Sequence, residues 1–270
     1  MLTRTPPPSF ANPPVVETII GVQFATLTGF RSHHYGWLWR EFLGADEWIP
    51  IADEKPLPEY MEPFDSPLLK TTAAQPETSL RVRLKLRSKQ HPHRTLQIQA
   101  DKFYLSWVRG EGALPDYGMI KPLFDEYFTR FEKFVSESLL GQLKPNLWEV
   151  MYVNIVRKGK LWSEPNDWHR VLPTFFPSGG PASDGLKFTT YDGNWHFEIE
   201  PKLGRVHVRI AKMVVNQDPE PVLFIQSIAR GQIDESLTWS DGIDLGHRAC
   251  IYLFCDITST EAHEEWGRLS

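Results

Sequence analysis

Cysteine is almost missing from this chain: two residues in 270, Cys250 and Cys255. Five positions apart in a segment that reads as one helix, they fall on different faces, so no intrachain disulfide is expected and a reducing cytoplasm is the simplest home. Long apolar runs are missing too. No stretch approaches the roughly 18 residues that a membrane-spanning helix needs, which argues against a membrane partner. Residues 1–14 (MLTRTPPPSFANPP) are Pro-rich and polar, the opposite of a secretory leader with its apolar centre. Neither sign of charge dominates: 29 Lys and Arg against 34 Asp and Glu leave −5, which favours solubility and opposes non-specific capture of a polyanion.

Signatures of catalysis are lacking as well. There is no phosphate-binding glycine loop, no G-x-S-x-G elbow and no H-E-x-x-H pair, and Gly179-Gly180 between Ser178 and Pro181 reads as a plain loop. His247, Cys250, Cys255 and His263 form the one cluster of metal-ligand types. His247 and Cys250 share a helix face, but the tight paired spacings of a zinc site are absent. A hydrogen-bonded structural histidine beside a small buried cysteine accounts for them, and His91-Pro92-His93 reads as a turn. No catalytic residue, metal or cofactor is therefore assigned. Glu17 and Glu149, each inside an otherwise apolar strand, come nearest to a catalytic pair. Two halves related by a pseudo-twofold axis would bring them together as general acid and base. A neighbouring arginine or a wet strand end explains them more cheaply, so an enzyme is not favoured.

What the chain does have is periodicity. From Met119 to Leu140 the residues Ile120, Leu123, Phe124, Tyr127, Phe128, Phe131, Phe134, Val135 and Leu139 recur at three- and four-residue spacing, predicting a long amphipathic helix. Before it, Leu96–Trp107 reads as a β-hairpin, Val15–Phe24 as a strand rich in β-branched residues and His33–Leu43 as a short helix. Ala45–Ser79 carries six prolines and no pattern, a connection of the kind that wraps or binds. Leu80–Leu86 alternates strictly and reads as a half-buried strand.

Past Gly141 a similar order recurs. Trp148–Val156 is a predicted strand, Asn166–Phe176 a short helix, then Lys187–Thr190, Trp195–Ile199, Val206–Ile210 and Val222–Ile228 are strands and Ile243–Phe254 a helix. Thr258 and Glu261 have capping-box spacing ahead of a last helical turn. Glu17 and Glu149 lie 132 residues apart and Trp37 and Trp168 lie 131 apart, an offset that points to a repeat. The expected fold is α+β: an arm (1–14) and two strand–helix–antiparallel strands–helix units (15–141 and 142–270) forming one wide curved antiparallel sheet, with two long helices on one face. That arrangement resembles the duplicated saddle of TATA-binding proteins. A single helix-grip barrel around a ligand cavity is the alternative.

Pro14–Phe24 (PVVETIIGVQF), Leu96–Trp107, Glu149–Asn154 (EVMYVN) and Ile257–Gly267 (ITSTEAHEEWG), the last following a helix that carries His247, resemble a family of uncharacterised bacterial proteins of about this length, sporadically distributed among genomes. In the family pattern an Asn commonly precedes the Trp and an Arg directly follows it. Here Ser106-Trp107-Val108-Arg109 stands instead. The resemblance implies membership and no established activity.

The candidate binding residues form a basic strip. Arg81, Arg83, Lys85 and Arg87 alternate with apolar residues, Lys89 and Arg94 follow, and Arg205, His207 and Arg209 alternate in the second half. On a curved sheet they would present positive charge to phosphates or to an acidic partner. A sheet face is ordinarily charged and solvated in any case, and edge cations discourage aggregation. Trp107, near Arg109, is the candidate stacking or interface aromatic. Trp37, Trp39, Trp148 and Trp168 are assigned to the core. The expected function is a non-enzymatic cytoplasmic interaction module of bacterial type, binding a protein partner through the exposed sheet face and the Pro-rich loop. The alternatives are a nucleic-acid-binding saddle using strand 81–87, and a ligand-binding or hydrolytic barrel using Glu17 or Glu149.

Overall fold

Nine strands hydrogen-bond into one antiparallel sheet. They are β1 (Val15–Phe24), β2 (Trp48–Glu54), β3 (Arg83–Ser88), β4 (Arg94–Gln99), β5 (Lys102–Val108), β6 (Pro145–Val156), β7 (Asp192–Ile199), β8 (Gly204–Val214) and β9 (Pro221–Gln232). This computed structural model describes all residues except 1–6, 65–81, 111–115, 177, 179–184, 187, 216–218, 236 and 270. The strand order is β2-β3-β4-β5-β1-β6-β9-β8-β7, so β1 and β6 meet in the middle and, among the described residues, β2 and β7 are the edges. An open sheet of this kind replaces the closed-barrel alternative. The helices are α1 (Ser32–Trp37, continuing as a π-helical turn through Leu38–Gly44), α2 (Tyr117–Glu137), α3 (Trp239–Ile257) and α4 (Thr260–Glu265), with a 3-10 turn at Pro165–Arg170. The fold class is α+β.

The core follows from the alternation of the strands. Phe103 on β5, Val22 on β1 and Trp148 on β6 are register partners and project to the same side. There Phe103 meets Phe124 and Phe128 of α2 edge-on, with ring centroids 5.8 and 5.6 Å away. Trp148 is fully buried under Gly242 and Gly246 of α3, whose missing side chains let its indole reach the helix backbone. Trp239 at the start of α3 lies against Phe124 and Phe128, joining the two helices over the sheet.

Several expectations are corrected. The connection expected between Ala45 and Ser79 contains an edge strand, β2. Trp48 is buried there against Tyr127, 5.0 Å between centroids, and the register slips between Pro50 and Ala52, where a proline without an N–H is tolerated only at an edge or bulge. Phe188–Thr190 form no strand, because β7 is the sheet's edge and offers them no neighbour; Lys187 lies outside the described residues. Helix α2 stops at Glu137. Leu139, expected on its apolar face, has φ of 54° and is 92% exposed. The last helix is capped by Ser259, whose Oγ accepts from Ala262 N–H at 3.0 Å, while Thr258 hydrogen-bonds back to Phe254 O. Trp148 and Trp168 are core residues and Trp39 is partly buried, but Trp37 is 43% exposed.

Candidate functional site

The side of the sheet opposite Phe103 and Trp148 carries one continuous cross-strand row. Register places Lys85, Gln97, Tyr104, Gly21, Glu149, Arg230, Arg205 and Glu198 side by side on β3, β4, β5, β1, β6, β9, β8 and β7. Successive residues of a strand alternate faces, so apolar strands that contribute Ile20, Val150 and Ala229 to the core present Gly21, Glu149 and Arg230 here.

Residues 55–64 (KPLPEYMEPF) run over this face without joining the sheet. Three prolines, Pro56, Pro58 and Pro63, hold the segment extended and remove N–H groups that a strand would need. Two glutamine amides supply the missing pairing. Gln99 accepts from Leu57 N–H at 2.9 Å and donates to Leu57 O at 3.1 Å. Gln23 accepts from Tyr60 N–H at 2.8 Å and donates to Tyr60 O at 3.0 Å. Each reads one residue's backbone at both of its polar groups.

Glu62 anchors the segment. Its side chain is 2% exposed, with Oε2 3.1 Å from Arg205 Nη1 and Oε1 2.7 Å from His207 Nε2 and 3.4 Å from Arg230 Nε. The ring of Tyr60 lies 4.3 Å from the Arg230 guanidinium and 5.2 Å from Lys102 Nζ. Lys102 itself is fully buried, hydrogen-bonded to Gln23 Oε1 and 3.5 Å from Asp101 Oδ2; burial lowers its pKa, against the opposing pull of Asp101 and Glu149. Burial likewise raises the pKa of Glu149, partly countered by Arg230, whose Nε is 3.3 Å away, and by Lys102. Tyr104 OH is buried beside Glu149, and burial, with the neighbouring carboxylate adding to it, drives the phenol well above its usual range.

The predicted strip is broken up by this arrangement. Arg83 and Lys85 both pair with Glu54 of β2, and Arg83 also donates to Gln97 at 2.7 Å. Arg87 and Lys89 are exposed. Arg81 lies outside the described residues. Arg94 and Trp107 face the other way: the guanidinium sits 4.3 Å over the indole, and Trp107 is buried in the core, so it is no surface aromatic. Arg205 and His207 hold Glu62, and Arg209 is 3.7 Å from Asp192. Glu17 and Glu149 do not meet. Glu17 is opposite Val153, four residues along β6 from Glu149, a separation of roughly 13 Å. Sequence reasoning missed Gln23, Gln99, Lys102, Arg230, Tyr60 and Glu62. Lys102 and Arg230 were findable as lone cations inside apolar strands; Glu62, in a Pro-rich loop, carries no local signal.

His247 Nδ1 is 2.7 Å from Tyr152 OH, and His263 Nε2 is 2.8 Å from Thr258 Oγ1. Among the described residues no group of three or more His, Cys, Asp or Glu is placed to hold a metal, and Cys250 and Cys255 are both buried. No helix of these residues is long and apolar enough to cross a membrane. No protein-family model, no curated protein and no solved structure matches the chain.

Proposed function

We propose that this protein is a non-enzymatic docking module whose open sheet face takes an extended, acidic protein segment, and that residues 57–62 occupy that place in cis. The observation carrying this reading is the pair of two-point glutamine contacts at Leu57 and Tyr60, followed by the Arg205–His207–Arg230 grip on Glu62. Backbone-reading amides and one carboxylate clamp recognise any extended chain with an acid two residues after an aromatic. The paired state of Arg83, Lys85, Arg205 and Arg209 favours such a segment over a run of phosphates.

The wider architecture belongs to the same proposal. β1 and β6 pair so that Glu17 opposes Val153 and Gly21 opposes Glu149, the register that two units offset by 132 residues would share. We read the sheet as a duplicated, saddle-like unit with α2 and α3 on one face, leaving the other for a partner. The stretches that resemble the sporadic bacterial family fall largely on β5, β1 and β6, the neighbouring strands at the middle of the sheet, and we take the chain to be a member.

The test uses a synthetic peptide of residues 55–64 and the full-length chain. E62Q, which weakens the cis contact, should bind the peptide saturably and at least tenfold tighter than the parent. The same peptide with Gln at the position of Glu62 and Glu59 kept should bind E62Q no better than the parent does. An E62Q chain that ignores the peptide, or binds both peptides alike, overturns the reading. Salt-sensitive binding of single-stranded DNA by the parent would favour nucleic acid instead.

A further inference from the structure

On the helix side of the sheet a cavity of about 370 Å³ lies between β6, β9, α3, the first turn of α2 and the stretch from Pro7 to Pro13. Its size falls at the lower end of the range for small-molecule sites, roughly 300–1,000 Å³. The sheet forms its floor. Thr18, Tyr152 and Ser227 are register partners on β1, β6 and β9, so three hydroxyl side chains stand in a row. Tyr152 spends its hydroxyl on His247. Ser227 lines the cavity, is 1% exposed, and its Oγ has no hydrogen-bond partner among the described residues. A buried hydroxyl left in that state is destabilising, and a ligand group that bonds to it would remove the penalty.

The walls define the ligand's character. The Tyr117 ring lies parallel to His247 at 3.7 Å and 2°, giving a flat aromatic side, and Phe254 and Ile251 of α3 add apolar surface. His247 is held neutral by burial, which pushes its pKa down to about 4. Among the described lining residues there is no Lys or Arg, and the acid present, Asp116, already caps α2 by accepting from Gly118 N–H. These residues offer an anion no countercharge and a cation one engaged carboxylate.

We propose that this cavity binds an uncharged, largely aromatic small molecule, oriented by one hydrogen bond to Ser227. The site is separate from the docking face and does not depend on it.

Calorimetric titration of the full chain with three bicyclic probes tests this: indole, which has one N–H donor; indene, of the same shape without it; and indole-2-carboxylate, which adds a negative charge. Indole should bind saturably at one site, at least tenfold tighter than either of the others. Ser227→Ala, a change too small to unfold the sheet, should lower indole to the level of indene and leave indene unchanged. Cys250→Phe, which fills the cavity from α3, should abolish binding of both. No saturable binding of indole, equal binding of indole and indene, or a preference for indole that survives Ser227→Ala would each overturn the proposal.

Discussion

Gly21 and Tyr104 are register partners on β1 and β5, and the Tyr104 ring fills the place where a side chain on Gly21 would begin: a Cβ there would lie 1.8 Å from the ring's Cδ1. Gly21 thus lets a buried tyrosine lean across the central strand of the polar sheet face, beside Glu149.

Gly21→Ala should therefore destabilise the fold by about 1–3 kcal/mol, the usual range for overpacking, although alanine is the better residue on entropic grounds. In urea unfolding, combining it with Tyr104→Ala should cost clearly less than the sum of the two single changes. Strict additivity would show that the ring is not what excludes the methyl group.

Gly242→Ala makes the same point in a helix. Intrinsic propensity favours alanine over glycine by about 1 kcal/mol. In α3, however, a Cβ at position 242 would lie 2.2 Å from Trp148 Cδ1, and Trp148 is fully buried between helix and sheet. We expect a net loss of about 1–3 kcal/mol in urea unfolding. A gain in stability would mean that Trp148 can withdraw from α3.

Acid should weaken the fold through His247. Its pKa falls from 6.5 to about 4 because burial disfavours the imidazolium, with Arg248 adding to the effect and Asp244 and Asp116 opposing it. Its contribution to stability is complete above pH 6.5 and is lost as pH falls through the folded value, since the unfolded chain takes up the proton first. The loss approaches about 3 kcal/mol near pH 4. His247→Gln keeps an acceptor for Tyr152 and cannot titrate, so the gap between wild type and variant in urea unfolding should shift in the variant's favour between pH 7.5 and 4.5. A gap independent of pH would show that His247 titrates normally.

Much of the fold was legible because hydrophobic periodicity is local. The β-branched residues of Val15–Phe24 identify a strand, the three- and four-residue spacing from Ile120 to Val135 identifies a helix with its buried side, and both elements are seen. Where a segment's conformation depends on a distant neighbour the reading failed. β2 exists because β3 pairs with it, and Phe188–Thr190 lack a strand because the sheet ends at β7.

Composition and periodicity alone determined the α+β class, the central strands, the apolar face of α2 and the helical character of α3, since each is set by which residues within a few positions must leave water. Only the tertiary structure decided the polar sheet face that residues 55–64 cross. Its parts come from strands far apart in the chain: Gln23 and Gln99 each oppose Lys102, and Glu149 opposes Arg230. Glu62 became an anchor rather than a surface acid because Arg205, His207 and Arg230 converge on the one point where residues 55–64 cross them, and the cost of burying a carboxylate is met only there.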